Sequence, residues 1–192
     1  MQVKNRIMIG ITGMPGSGKD IVKEVLRELG FSIVVMGDEV RVEADRRNLP
    51  HTPENLGKIM IQLRKEEGEE VLAKRCLPKI RALQSQFVAI DGIRSLAEVS
   101  EFKKELPNLR IIAVHSSPKT RFERLLRRNR SDDPKDWSTF IKRDKRELSV
   151  GLGNVIATAD LMIVNEGTLD SFKQEIRQLI QKEFQVWAKS EK

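Results

Sequence analysis

The chain has 192 residues, 39% hydrophobic and 33% charged, with a net charge of +7. That length suits one well-buried domain, and no apolar run approaches the ~18 residues of a membrane span. One cysteine excludes an internal disulfide and a cysteine-cluster metal site, so a cytoplasmic location is expected, and the positive charge predicts an anionic partner such as a nucleotide or RNA.

The first apolar run, residues 6–12, predicts a buried parallel strand. It leads into Gly13-Met14-Pro15-Gly16-Ser17-Gly18-Lys19, and a helical pattern over 20–29 follows, with Ile21, Val22, Val25, Leu26 and Leu29 on its buried face. Glycines at this spacing let consecutive backbone N–H groups curl toward one point. The helix start adds its dipole, and Lys19 adds a full charge. Strand, loop and helix together predict binding of a nucleoside triphosphate, with Lys19 at the β/γ-phosphates. Asp20 stands where most such loops carry a Ser or Thr hydroxyl for Mg²⁺. Its carboxylate could hold the ion directly or through water, or could simply be a first-turn acid suited to the helix dipole.

A second strand is expected at 32–36, followed by helices at 37–47, 54–66 and 68–83. Asp38 is placed to accept a proton from an attacking hydroxyl and Arg41 to grip an acceptor phosphate. The alternative is a helix start with Asp38 as N-cap and the arginines on a solvated face. Pro78 should end or kink its helix, and Cys76 shares an apolar stripe with Leu72, Ile80 and Leu83, as a core thiol does.

The third strand, 87–91, ends in Asp91-Gly92-Ile93-Arg94. A carboxylate at a buried strand end near the phosphate loop is where a Mg²⁺-organising acid belongs, which favours Asp91; Asp-Gly is also an ordinary turn. A helix at 96–105 closes before Pro107, and strand 110–115 precedes a helix at 118–129. In that helix Phe122, Leu125 and Leu126 should pack inward while Arg121, Arg124 and Arg128 share another face.

Residues 127–134 and the helix at 137–149 read as a lid and its support. Phosphoryl transfer spreads charge over three equatorial oxygens, so positioned cations and water exclusion carry the catalysis. Two or three of Arg124, Arg128, Arg130, Arg143 and Arg146 are expected to touch phosphate, with Arg128 and Arg143 acting on the transferring group. A fifth strand, 161–164, leads to Asn165-Glu166-Gly167, where a backbone group could accept the adenine amino group, and Thr168 is a plausible N-cap for a helix over 168–187.

Strands alternating with helices predict a parallel sheet covered on both faces. The stretches 37–85 and 116–160 are longer than a crossover needs and should form mobile structure over the ligand site. No repeat or linker divides residues 1–192, so they read as a single domain.

The loop Gly13–Lys19 is similar to that of adenylate kinases, which favour Pro-Gly here and also lack a hydroxyl directly after the lysine. Asp91-Gly92-Ile93-Arg94, Arg130-Ser131-Asp132-Asp133, Arg143-Asp144-Lys145-Arg146-Glu147-Leu148 and Ala159-Asp160 running to Asn165-Glu166-Gly167 extend the likeness. Over residues 6 to about 180 the chain resembles an uncharacterised, mainly archaeal P-loop family related to adenylate and dephospho-coenzyme A kinases. The resemblance implies an α/β three-layer P-loop NTPase fold, nucleoside-monophosphate-kinase-like, with a five-stranded parallel sheet of order 2-3-1-4-5. It also implies ATP and Mg²⁺ as cofactors, an acceptor-binding insertion at 37–85 and a lid at 128–140. Thr52-Pro53-Glu54-Asn55-Leu56-Gly57 looks like a family feature, and the full acceptor motifs of an adenylate kinase are absent from 37–85. The function expected is transfer of the ATP γ-phosphate to a small phosphate- or nucleotide-containing acceptor. The alternatives are an ATPase or nucleotide-dependent switch acting on RNA or ribonucleoprotein, and a slow nucleotide sensor.

Overall fold

A computed structural model describes residues 6–130 and 133–190, with the side chains of 186–190 left aside. Its chain order is β1 (Ile7–Thr12), α1 (Lys19–Glu28), β2 (Ser32–Val35), α2 (Met36–Arg46), α3 (Pro53–Glu67), α4 (Val71–Ala82) and β3 (Phe87–Asp91). There follow α5 (Leu96–Glu105), β4 (Arg110–His115), α6 (Pro118–Arg128), α7 (Trp137–Ser149), α8 (Leu152–Ala157), β5 (Leu161–Val164) and α9 (Leu169–Ser190).

The five strands are parallel in the order β2-β3-β1-β4-β5, as the family resemblance implies. Side chains alternate across the sheet, which splits the core in two. Met8, Val34, Val88, Ile90 and Ile111 face a layer holding Leu63, Leu72, Ile80 and Phe102 from α3, α4 and α5. Ile9, Ile11, Ile112, Val114 and Ile163 face Val22, Val25 and Leu26 of α1 and Ile176 and Ile180 of α9. Burial on both faces is why the strands read as near-continuous apolar runs. The register sets Ile11 beside Asp91 and brings the carboxyl ends of β1 and β3 to one edge, where ligands bind in open α/β sheets.

Local chemistry explains most helix bounds. Thr52 accepts from Asn55 N at 3.2 Å and Pro53 takes the first position of α3. Ser95 and Glu98 form a capping box on α5, and Thr168 accepts from Ser171 N at 3.2 Å before α9. The stretch 37–85 is helical, with α2, α3 and α4 packed against one another.

Four local expectations change. α4 runs through Pro78 rather than ending there, because Val71, Leu72, Ala73, Cys76, Leu77 and Ile80 bury a continuous stripe on both sides of it. α8 was not foreseen. Asp38 is not an N-cap: Val35 holds that position of α2 and Asp38 lies in the first turn. In α6 Leu126 is exposed and Arg121 is buried, the reverse of their expected faces, because Arg121 pairs with Asp144 and lies 4.9 Å from the Phe140 ring centre. Cys76 is a core thiol, and burial pushes its pKa up to about 12.

Candidate phosphate-transfer site

The loop between β1 and α1 takes its shape from positive-φ glycines. A Cβ on Gly16 (φ 82°) would sit 2.7 Å from the Arg121 carbonyl, so α6 approaches the loop only because glycine is there. At Gly18 (φ 107°) a Cβ would collide with the Asn165 side-chain amide. The loop is braced from behind by side chains remote in sequence. Asn165 Nδ2 donates to the Ser17 carbonyl at 2.9 Å, and Ser116 Oγ donates to the Asn165 carbonyl at 2.6 Å. Arg124 reaches Ser116 Oγ at 2.9 Å and Asn165 Oδ1 at 3.2 Å, while Arg121 donates to the Pro15 carbonyl at 3.2 Å.

Lys19 Nζ donates to the carbonyls of Gly13 at 2.6 Å and Met14 at 3.1 Å. Burial lowers its pKa to about 8, against the opposing pull of Asp91. Lys23, one turn further along α1, bridges Asp91 Oδ2 at 2.7 Å and Asp20 Oδ1 at 2.8 Å. These two carboxylates keep Lys23 well protonated although burial works against it. Asp20 is half-exposed; burial would raise its pKa, but Lys23, Arg130 and Arg128 outweigh that and hold it low. Arg128 and Arg130 each approach Asp20 Oδ2 at 3.4 Å.

The Asp91 carboxylate is buried at the end of β3, and among the described residues its Oδ1 has no hydrogen-bond partner. An orphaned carboxylate oxygen beside the phosphate loop fits a Mg²⁺ ligand position. Among the described residues no group of three or more His, Cys, Asp or Glu could hold a metal. That suits an ion taking its other ligands from phosphate and water.

A cleft of about 460 Å³ opens over the loop. Arg41, Arg94, Arg124, Arg128, Arg130 and Arg143 line it together with Lys19 and Lys23, against the carboxylates of Asp20 and Asp91. Arg128 grips Asp133 through two bonds of 2.9 and 2.6 Å, and Arg143 lies 3.6 Å from the same carboxylate. Asp133 is buried, which would raise its pKa, but these arginines hold it low. Arg94 donates to Glu147 Oε2 at 2.8 Å; Arg94 and its neighbours keep Glu147 ionised despite its burial.

The structure thus gathers Lys19, Asp20, Asp91, Arg128, Arg130 and Arg143 at one cleft with Pro15, Gly16 and Gly18. Gly13 lines a small adjoining cavity, and Ser17 is buried in the loop. Met14, like Gly13, turns its carbonyl to Lys19. Asp38 does not line the cleft; it pairs with Arg41 at 2.7 Å on an exposed turn. Asn165 faces the back of the loop with its carbonyl engaged by Ser116, and Gly167 is exposed and outside the lining. Ser131 and Asp132 lie outside the described residues.

Sequence reasoning missed Lys23 and Glu147. Spacing places Lys23 one turn after Lys19 and Glu147 one turn after Arg143, but their partners Asp91 and Arg94 come from other elements, so spacing alone did not single them out.

Residues 12–142 match the family model described as an AAA domain. A UPF0200 protein of Thermococcus sibiricus is 49% identical over 180 residues, spanning 92% of this chain and 95% of that protein. A second, from Hyperthermus butylicus, is 48% identical over 180 residues, spanning 94% and 96%. Among solved structures, TT1252 from Thermus thermophilus superposes with a TM-score of 0.61 at 17% identity, covering 93% of this chain and 98% of that one. A shikimate kinase from Acinetobacter baumannii in complex with shikimate gives 0.57 at 16%, covering 94% and 96%. These structures share the P-loop kinase fold. With near-half identity over almost its whole length to archaeal relatives of one name, the chain belongs to the UPF0200 family.

Proposed function

We propose that this protein is an ATP-dependent phosphotransferase that moves the γ-phosphoryl group to a small phosphate- or nucleotide-containing acceptor. The observation that carries the reading is the convergence of the glycine loop and Lys19 with the orphaned Asp91 oxygen and six arginines on one cleft. The fold shared with shikimate kinases supports it.

Loop N–H groups and Lys19 bind the β/γ-phosphates, with Lys19 leaving its loop carbonyls to do so. Asp91 is the residue that would hold Mg²⁺, with Asp20 the second carboxylate paired to Lys23; bound there, the ion would neutralise charge on the phosphates. An acceptor oxygen forms a bond to the γ-phosphorus as the bond to the β–γ bridging oxygen breaks, and ADP leaves with that electron pair. A phosphate acceptor releases no proton. A hydroxyl acceptor releases one; Asp38, which pairs with Arg41 outside the cleft lining, would have to turn inward to take it. Arg128 and Arg143 stabilise the charge on the equatorial oxygens.

The experiment is incubation with γ-labelled ATP and a panel of nucleotides, dephospho-coenzyme A and RNA. Label in a small acceptor is expected. Label appearing only as inorganic phosphate, at a rate raised by RNA, would establish the switch reading instead, which the net charge of +7 favours.

A further inference from the structure

Beside the cleft lies a second cavity of about 150 Å³, lined by residues of α2, α3 and α7 and by Arg94. It shares Gly37, Arg41, Arg94 and Arg143 with the cleft, so the two spaces adjoin through these residues. Val40, Leu56 and Met60 make its apolar side. Four guanidinium groups make the other, from Arg41, Arg94, Arg143 and Arg146, with Glu147 as the carboxylate in the lining.

Three of those arginines already face carboxylates: Arg41 on Asp38, Arg94 on Glu147 and Arg143 near Asp133. Arg146 acts on Glu147 only through space, with no ion pair to it among the described residues, and its Nε is buried without a hydrogen-bond partner there. Its guanidinium lies flat against Gly57 of α3, where an added Cβ would be 2.7 Å from Nη1 and 3.1 Å from Cζ. Gly57 therefore admits the arginine, which gives the Thr52–Gly57 segment a physical role. Arg146, Arg143 and Pro53 also line a further cavity on the lid side, so they stand between the two spaces.

We infer that this inner cavity is the acceptor subsite, and that Arg146, admitted by Gly57, selects a compact anion rather than a nucleoside monophosphate. The inference rests on the phosphotransfer reading and narrows its acceptor. A half-buried guanidinium whose Nε lacks a partner presents a planar fork that matches a carboxylate or a phosphate. The volume falls below the ~300–1,000 Å³ of ordinary ligand pockets, so the part of the acceptor seated in this cavity is small. The apolar side accepts a carbon skeleton and offers no polar group to read a base edge.

The test is calorimetric binding to the full chain in the presence of a non-hydrolysable ATP analogue with Mg²⁺. Ribose 5-phosphate and glycerol 3-phosphate probe the phosphate source, glycerate the carboxylate source, and AMP the nucleotide. At least one small anion should bind more tightly than AMP, and its class identifies the headgroup. Arg146→Met should weaken that anion about tenfold or more, and Arg146→Lys should recover part of the loss. Gly57→Ala, which favours the helix, should weaken it as well by displacing the guanidinium. Arg146 does not line the ATP cleft, so affinity for the analogue is the control. Failure of the wild-type chain to bind the analogue would overturn the phosphotransfer reading itself. With analogue binding intact, three results would each overturn the subsite assignment alone: tighter binding of AMP than of every small anion, no small-anion binding, or an affinity indifferent to both Arg146→Met and Gly57→Ala.

Discussion

Lys19 is held where its charge costs the fold stability, since burial brings its pKa to about 8 from an ordinary 10.5. A lysine whose folded pKa is depressed binds fewer protons folded than unfolded between those values, so stability rises with pH from about 8 to 10.5 and the penalty is fully present below 8. Lys19→Met should therefore stabilise the nucleotide-free protein at pH 7, by on the order of 1 kcal/mol after the lost carbonyl contacts. The gain should shrink by pH 10. The same substitution should slow phosphoryl transfer at least thirtyfold, about 2 kcal/mol or more of transition-state stabilisation. Thermal unfolding at the two pH values and steady-state rates check both halves; a melting temperature lowered at pH 7 would contradict the first. The neighbouring carboxylates separate in the same way. Asp91→Asn removes the buried charge suited to Mg²⁺ and should abolish metal-dependent turnover, whereas Asp20→Ser should preserve it. The opposite pattern of activities would move the metal role to Asp20. The glycine loop was legible in the sequence because its meaning is contained in seven consecutive residues. Lys23 and Glu147 were not, because their significance lies in pairs with Asp91 and Arg94 that only the sheet and α7 bring together.

At the scale of elements, tertiary packing overrides local signals where the two conflict. Pro78 lacks the N–H that would bond back one turn, yet it is exposed and α4 continues past it to Ala82. Its neighbours Leu72, Ala73, Cys76 and Ile80 are fully buried, which secures the helix. Pro78→Ala should restore the missing bond and raise stability by about 1–3 kcal/mol, less the entropy that proline removes from the unfolded chain. Urea unfolding would show this as a higher midpoint with an unchanged slope, and a lower midpoint would mean that Pro78 supports the packing. Strand and helix positions were otherwise readable, since runs such as Val88-Ala89-Ile90 and the stripe Val22-Val25-Leu26 carry their periods openly. α8 escaped because six residues are too few to show a helical period. Arg121 escaped because an arginine reads as solvated until Asp144 and Phe140 appear opposite it.

Across the whole molecule, Arg128 of α6, Arg130 just beyond it and Arg143 of α7 face carboxylates beside the cleft that would be exchanged on nucleotide binding. Arg128 is held by Asp133 and approaches Asp20, Arg130 approaches Asp20, and Arg143 lies near Asp133. A triphosphate in the cleft offers these guanidinium groups more charge than the two carboxylates do. Closure of residues 128–140 as a lid would then draw its energy from the difference between the two sets of contacts. This long-range arrangement was only partly legible: arginine density marked the segment, but Asp133 as the holding partner was not singled out. Amide exchange over 128–140 should slow when an ATP analogue binds and change less with AMP, which leaves the γ-phosphate position without charge. Replacing Arg128 and Arg143 together by alanine should lower turnover at least about tenfold more than it weakens ATP binding, because their contacts reach full strength around the transferring phosphoryl group. The substitution also leaves Asp133 buried without its guanidinium partners, so unfolding of the double variant must be measured alongside. Equal losses in binding and turnover in a folded variant, or exchange indifferent to nucleotide, would make these arginines a static brace for the loop and remove the lid from the mechanism.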